Sequence, residues 1–116
     1  MATVWTTVTV ADVTAIGTTA KQTAAVAVAP NEALALDVQI GAHPTNQINV
    51  TAQASHDGGT TWADIHAIAI PAGDVAPRSM GPFLLHQNIR LSVVATGSTD
   101  LPTMTTRAVR GPLNAA

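Results

Sequence analysis

A chain of 116 residues, 10% charged and carrying a net charge of −2, is one domain's worth, too short for a propeller and without an electrostatic footprint for nucleic acid. It has no cysteine, which excludes disulfides and thiolate metal centres. No apolar run approaches the roughly 18 residues of a membrane-spanning helix.

The opening Met-Ala-Thr-Val-Trp lacks the charged and apolar regions of a secretory signal, so synthesis in the cytoplasm is expected, with any release by another route. Apolar residues make up 47% of the chain, but many are alanine, and the aromatics are Trp5, Trp62 and Phe83. Burial free energy follows apolar area, so an alanine-rich core gains less per ordered residue than a leucine-rich one. A surface with so few charges does little to keep copies apart. Both properties lead us to expect self-association.

The predicted elements follow in chain order. Thr3 to Val10 alternates, with Val4, Val8 and Val10 on one parity and Trp5, Thr7 and Thr9 on the other, which is strand chemistry. Residues 11–21 lose the pattern and read as a loop or an extended connection. The first 21 residues are thus either an ordinary first strand with its loop or an arm that orders on a partner. Thr23 to Ala29 is a short strand-like run closed by Pro30. Glu32 to Ile40 places Leu34, Leu36, Val38 and Ile40 on one face, and Ile48, Val50, Ala52 and Ala54 repeat the pattern after a turn at 41–46.

Trp62 to Ile70 is the return strand of a hairpin. Trp62, Ile65, Ile68 and Ile70 do not share one parity, which predicts a bulge between Asp64 and His66. Residues 71–82, with three prolines and two glycines, read as a long irregular loop. Phe83 to Gln87 reads as a short strand, Ile89 to Ala95 as a clean one, and Thr103 to Val109 as the last, before a loose tail from Gly111. No segment has a convincing helical period. The expectation is a single all-β domain over residues 1–116, an antiparallel β-sandwich of about eight short strands, immunoglobulin-like or jelly-roll in topology.

Between the two middle strands lies Ser55-His56-Asp57-Gly58-Gly59-Thr60-Thr61-Trp62. Asp57 can turn its carboxylate back onto the following backbone N–H groups, and Gly58 and Gly59 accept positive φ. Trp62 offers a flat face to close the base of the turn and is expected to be buried. Ser55, Asp57, Gly59, Thr61 and Trp62 match Ser-x-Asp-x-Gly-x-Thr-Trp, so this stretch resembles the Asp-box, a hairpin motif of sialidase-like propellers. It also appears singly in small β-sandwich proteins, including structural proteins of tailed bacteriophages. The resemblance implies a structural hairpin formed by Ser55, Asp57, Gly58, Gly59, Thr61 and Trp62.

Catalysis finds little to work with. The seven acids stand singly along the chain, with no obvious pair to flank a glycosidic bond, and Asp57 is committed to its own turn. The four arginines are too scattered for a carboxylate-binding cluster. No nucleophile elbow or phosphate-binding glycine loop is present. His56 and His66 flank the hairpin and are the best candidates for a zinc-like pair, but their spacing is not that of a metal motif; His43 and His86 have no evident partners. The Asp-Gly-Gly tip offers too few oxygens for calcium. No enzyme activity, cofactor or metal is expected.

A short sandwich with one Asp-box, no cysteine and little charge resembles the head decoration, or cement, proteins of tailed bacteriophages. That resemblance implies a homotrimer made in the host cytoplasm and bound to the major capsid protein on the virion surface, with no nucleic acid or membrane partner. Two contact regions are expected. One is the N-terminal segment, through Val4, Trp5 and Val8, which can add a strand to an open sheet edge. The other is the 71–82 loop, through Arg78 and Met80. The competing expectation is a carbohydrate- or receptor-binding module of a phage tail.

Overall fold

The alternation of Leu34, Leu36, Val38 and Ile40 becomes the middle of a sheet. The computed structural model describes residues 5–84 and 86–112. Its strands are β1 (Thr6–Thr9), β2 (Lys21–Gln22), β3 (Val26–Ala27), β4 (Glu32–Ile40) and β5 (Ile48–Ser55). They continue as β6 (Ala63–Ile70), β7 (Arg78–Leu84), β8 (Asn88–Ala95) and β9 (Met104–Pro112). No helix occurs among the described residues. The expected all-β sandwich is present.

One sheet runs β1-β9-β4-β7 and the other β2-β8-β5-β6, with β3 also paired to β8. Every pairing is antiparallel. Because β2 and β3 both lie on β8, they act as one interrupted strand. The chain then nests as four antiparallel pairs: β1 with β9, β2/β3 with β8, β4 with β7, and β5 with β6. That is the strand order of a jelly roll, and it decides between the two topologies the sequence left open.

The core lies between the sheets. Leu34, Leu36, Val38 and Ile40 meet Ile48, Val50, Ala52 and Ala54 of β5 and Ile89, Leu91 and Val93 of β8. Alanine at positions 52 and 54 keeps the inner layer thin. The bulge expected in the return strand is present: Ala52 pairs with His66 and Gln53 with Asp64, which leaves Ile65 as the extra residue. Ile65 and Ile68 then both pack against the core although they differ in parity.

Three expected strand boundaries are corrected. Residues 78–82 are not loop; they belong to β7, and the irregular stretch is confined to 71–77. Phe83 continues that same strand, and its side chain is buried against the core. A prolyl residue is tolerated because β7 is an edge strand and because a bulge sets Gly81 and Pro82 opposite Ala35 alone. Gly81 has φ +97°, and a Cβ there would meet Phe83 N at 3.0 Å and the Leu34 carbonyl oxygen at 3.1 Å. Residues 11–20 hold no strand beyond an isolated bridge, as expected of a loop or extended connection, and they are tied to the sandwich. Val13 pairs with Met104, Ile16 is fully buried, and the Ile16 N–H donates to the Pro102 carbonyl at 2.9 Å. Lastly, Gly111 and Pro112 extend β9 rather than begin a tail. In the described part of the first 21 residues, 5–21, β1 pairs with β9, and Val10, Val13 and Ile16 join the core.

Candidate functional site

The sequence singled out the hairpin tip, the N-terminal segment and the 71–82 loop; the fold sets the tip at one end of the sandwich, the β6–β7 connection at the other, and β1 on one sheet's edge. At the end where β5 turns into β6, Asp57 organises the hairpin tip. Its Oδ1 accepts the N–H groups of Thr60 at 3.1 Å and Thr61 at 2.9 Å, and its Oδ2 accepts the Thr61 hydroxyl at 2.5 Å. The Ser55 hydroxyl donates to Asp57 Oδ1 at 2.8 Å and accepts the Gly59 N–H at 2.8 Å. Hydrogen bonds from Thr61 side chain and backbone and from Ser55, in that order, hold the Asp57 carboxyl down at about 2, against an ordinary 3.8. Gly58 and Gly59 take φ of 74° and 94°, which side chains with a Cβ resist.

Trp62 corrects an expectation. It is half-buried, outside the core, and its indole N–H donates to the Gly59 carbonyl at 3.1 Å. The Arg90 guanidinium covers its ring at 4.2 Å. Arg90 Nε also donates to Gln53 Oε1 at 2.9 Å, and Gln53 Nε2 donates to Asp64 Oδ1 at 2.9 Å. The ring therefore seals the hairpin from outside, under a polar ladder that crosses β8, β5 and β6.

The histidines pair differently from the expected His56 and His66. His66 stands opposite Ala52, well down the hairpin. His56 Nε2 instead lies 3.2 Å from His86 Nδ1, in the β7–β8 connection. The same connection is tied to the tip by the Gly58 N–H, which donates to Gln87 Oε1 at 3.2 Å. No spacing rule reaches this pair, since thirty positions separate its members. At the opposite end of the sandwich His43 is fully buried, with Nδ1 2.8 Å from the Gly41 carbonyl and Nε2 3.0 Å from the Pro71 carbonyl. It joins the β4–β5 turn to the β6–β7 loop.

The contact candidates divide. Trp5 is 41% exposed, on the outer face of the β1-β9-β4-β7 sheet, where it packs on Gly111. Val8 faces inward opposite Ala108 and packs against the core, so little of it is open to a partner. Met80 is 2% exposed beside Leu36; burial in the core removes it as a contact residue. Arg78 is partly exposed but already ion-paired with Asp74, whose carboxyl that bond holds below its ordinary value. Val4 lies outside the described residues.

The sequence missed what surrounds Trp5. Leu84 pairs with Ala33 and Ala33 with Gly111, and in the next rank Ala35 pairs with Val109 and Val109 with Thr7. Trp5, Leu84 and Val109 are all exposed. The outer face of this sheet thus carries two neighbouring apolar ranks, followed by a polar rank of Thr9, Arg107, Asp37 and Ser79. The parity of β9 held the signal for Val109, but only the pairing with β4 and β7 brings the three together. Among the described residues no group of three or more His, Asp or Glu side chains is placed to hold a metal ion. Comparison with protein families, with curated proteins and with solved structures finds no match to this chain.

Proposed function

We propose that this protein is a bacteriophage virion structural protein, a capsid decoration or cement protein that binds the outside of the head and stabilises it without catalysis. It acts as a homotrimer on the major capsid protein. The observation that carries the reading is the outer face of the β1-β9-β4-β7 sheet, with Trp5, Leu84 and Val109 exposed on adjoining ranks. Contiguous exposed apolar surface on a small domain marks a contact site. The low charge of the chain and the Asp-box resemblance point the same way. By analogy of fold alone, jelly rolls are frequent in capsid proteins.

The test is co-sedimentation with purified phage head shells, together with light scattering of the free protein. The wild type pellets with shells and scatters as a trimer. Leu84→Glu and Val109→Glu, which place charge on the face without touching the core, stay in the supernatant. A monomer that ignores shells overturns the reading. Jelly rolls also serve as lectins, so the second reading is a carbohydrate- or receptor-binding module of a phage tail, and binding to a glycan array decides for it.

A further inference from the structure

We propose that His56 and His86 form a two-histidine chelate for a borderline transition-metal ion, Zn²⁺ in the first place and Ni²⁺ or Cu²⁺ by the same chemistry. The proposal is independent of the capsid reading. His56 Nε2 and His86 Nδ1 stand 3.2 Å apart, and the ring centroids are 5.3 Å apart with the planes inclined at 50°. The rings therefore meet by their nitrogen edges and do not stack. Two metal–nitrogen bonds of about 2.0–2.1 Å across that gap subtend an angle of about 100°, near the tetrahedral angle that zinc prefers. Imidazole nitrogen suits Zn²⁺, Ni²⁺ and Cu²⁺ and does not suit Ca²⁺ or Mg²⁺, which take oxygen.

The two rings are carried on segments that are already held together. His56 precedes Asp57, whose carboxylate and the Ser55 hydroxyl immobilise the tip. His86 precedes Gln87, whose side-chain oxygen accepts the Gly58 N–H at 3.2 Å and whose carbonyl accepts the Val28 N–H at 2.9 Å. Little ordering remains when an ion arrives, which favours binding. Without metal, one of the two facing nitrogens donates its N–H to the other. With metal, both facing nitrogens give their lone pairs to the ion, and that proton moves through solvent to the far nitrogen of the same ring. Water fills the other coordination positions. The ion clamps the hairpin tip to the β7–β8 connection, so it stabilises the folded state by an amount that grows with the logarithm of free ion concentration above the dissociation constant.

The experiment titrates ZnCl₂ into untagged, chelator-treated protein, by calorimetry and by NMR of the imidazole CH signals. We expect one ion per chain, shifts confined to His56 and His86, and a rise in melting temperature with zinc. His56→Ala and His86→Ala each weaken binding at least tenfold, and His66→Ala does not. The NMR titration of the wild type needs no variant, so a misfolded variant leaves the test intact. Absence of binding at millimolar zinc, or shifts centred on His66 or His43, overturns the proposal.

Discussion

The guanidinium of Arg90 lies 4.2 Å from the centre of the Trp62 ring, on the outside of the sandwich. A strand-β8 cation thereby pins the base of the β5–β6 hairpin. Contacts of this type at exposed sites contribute about 0.5–1 kcal/mol. Arg90→Ala is expected to lower stability by about that amount, plus the loss of its bond to Gln53. Because the ring is half-buried, Trp62→Ala should cost less than the roughly 3–5 kcal/mol of deleting a core aromatic. Denaturant midpoints measure both, and acrylamide quenching in a Trp5→Phe background reports whether Trp62 opens when Arg90 is removed.

Asp57 makes the hairpin sensitive to acid. Its carboxyl titrates at about 2 in the folded chain against an ordinary 3.8, so the folded state binds this proton less readily than the unfolded state. The resulting stabilisation is present above pH 4 or so and is lost as pH falls through the window between those two values. Asp57→Asn should lower the melting temperature at pH 7, and the gap between variant and wild type should close towards pH 2. A gap that does not change with pH would assign the effect to shape and not to charge.

Ile16 tests whether residues 11–21 belong to the fold. The side chain is fully buried although it stands in a segment with only an isolated bridge. Ile16→Ala should cost about 2–5 kcal/mol, the range of a large-to-small change in a core. A detached arm would tolerate it without a shift in midpoint.

Gly81 and Gly73 separate two costs. Both have positive φ, but a Cβ at Gly73 meets nothing within 4 Å, whereas one at Gly81 meets backbone at 3.0 and 3.1 Å. Gly73→Ala should lose about 1–2 kcal/mol from conformation alone. Gly81→Ala adds crowding against Phe83 and Leu34 in an edge strand and should lose clearly more. Thermal unfolding of the two variants side by side gives the difference.

The longest strands were legible because their cause is local. Period-two alternation at Leu34 to Ile40, Ile48 to Ala54 and Ile89 to Ala95 follows from side chains pointing to opposite faces of a pleated chain. The Asp57 turn was legible for the same reason: its carboxylate bonds groups three and four positions away. Even the bulge at Ile65 showed itself as a break in parity.

Tertiary structure alone decided the rest. Strand order is a matter of which distant segments pair, and alternation carries no address, so the jelly roll emerged only with the registers of β4, β5, β8 and β9. Pro82 looked like loop because proline cannot donate to a ladder, but an edge strand asks for no donor on its open side. Met80 was misjudged, and the burial of Ile16 did not show, because burial depends on what folds over a residue, not on its neighbours in sequence. His56 met His86 because the β5–β6 hairpin turn and the connection from β7 in one sheet to β8 in the other close over the same end of the sandwich, and Trp5, Leu84 and Val109 share a face because β1, β9, β4 and β7, far apart in the chain, lie in that order in one sheet.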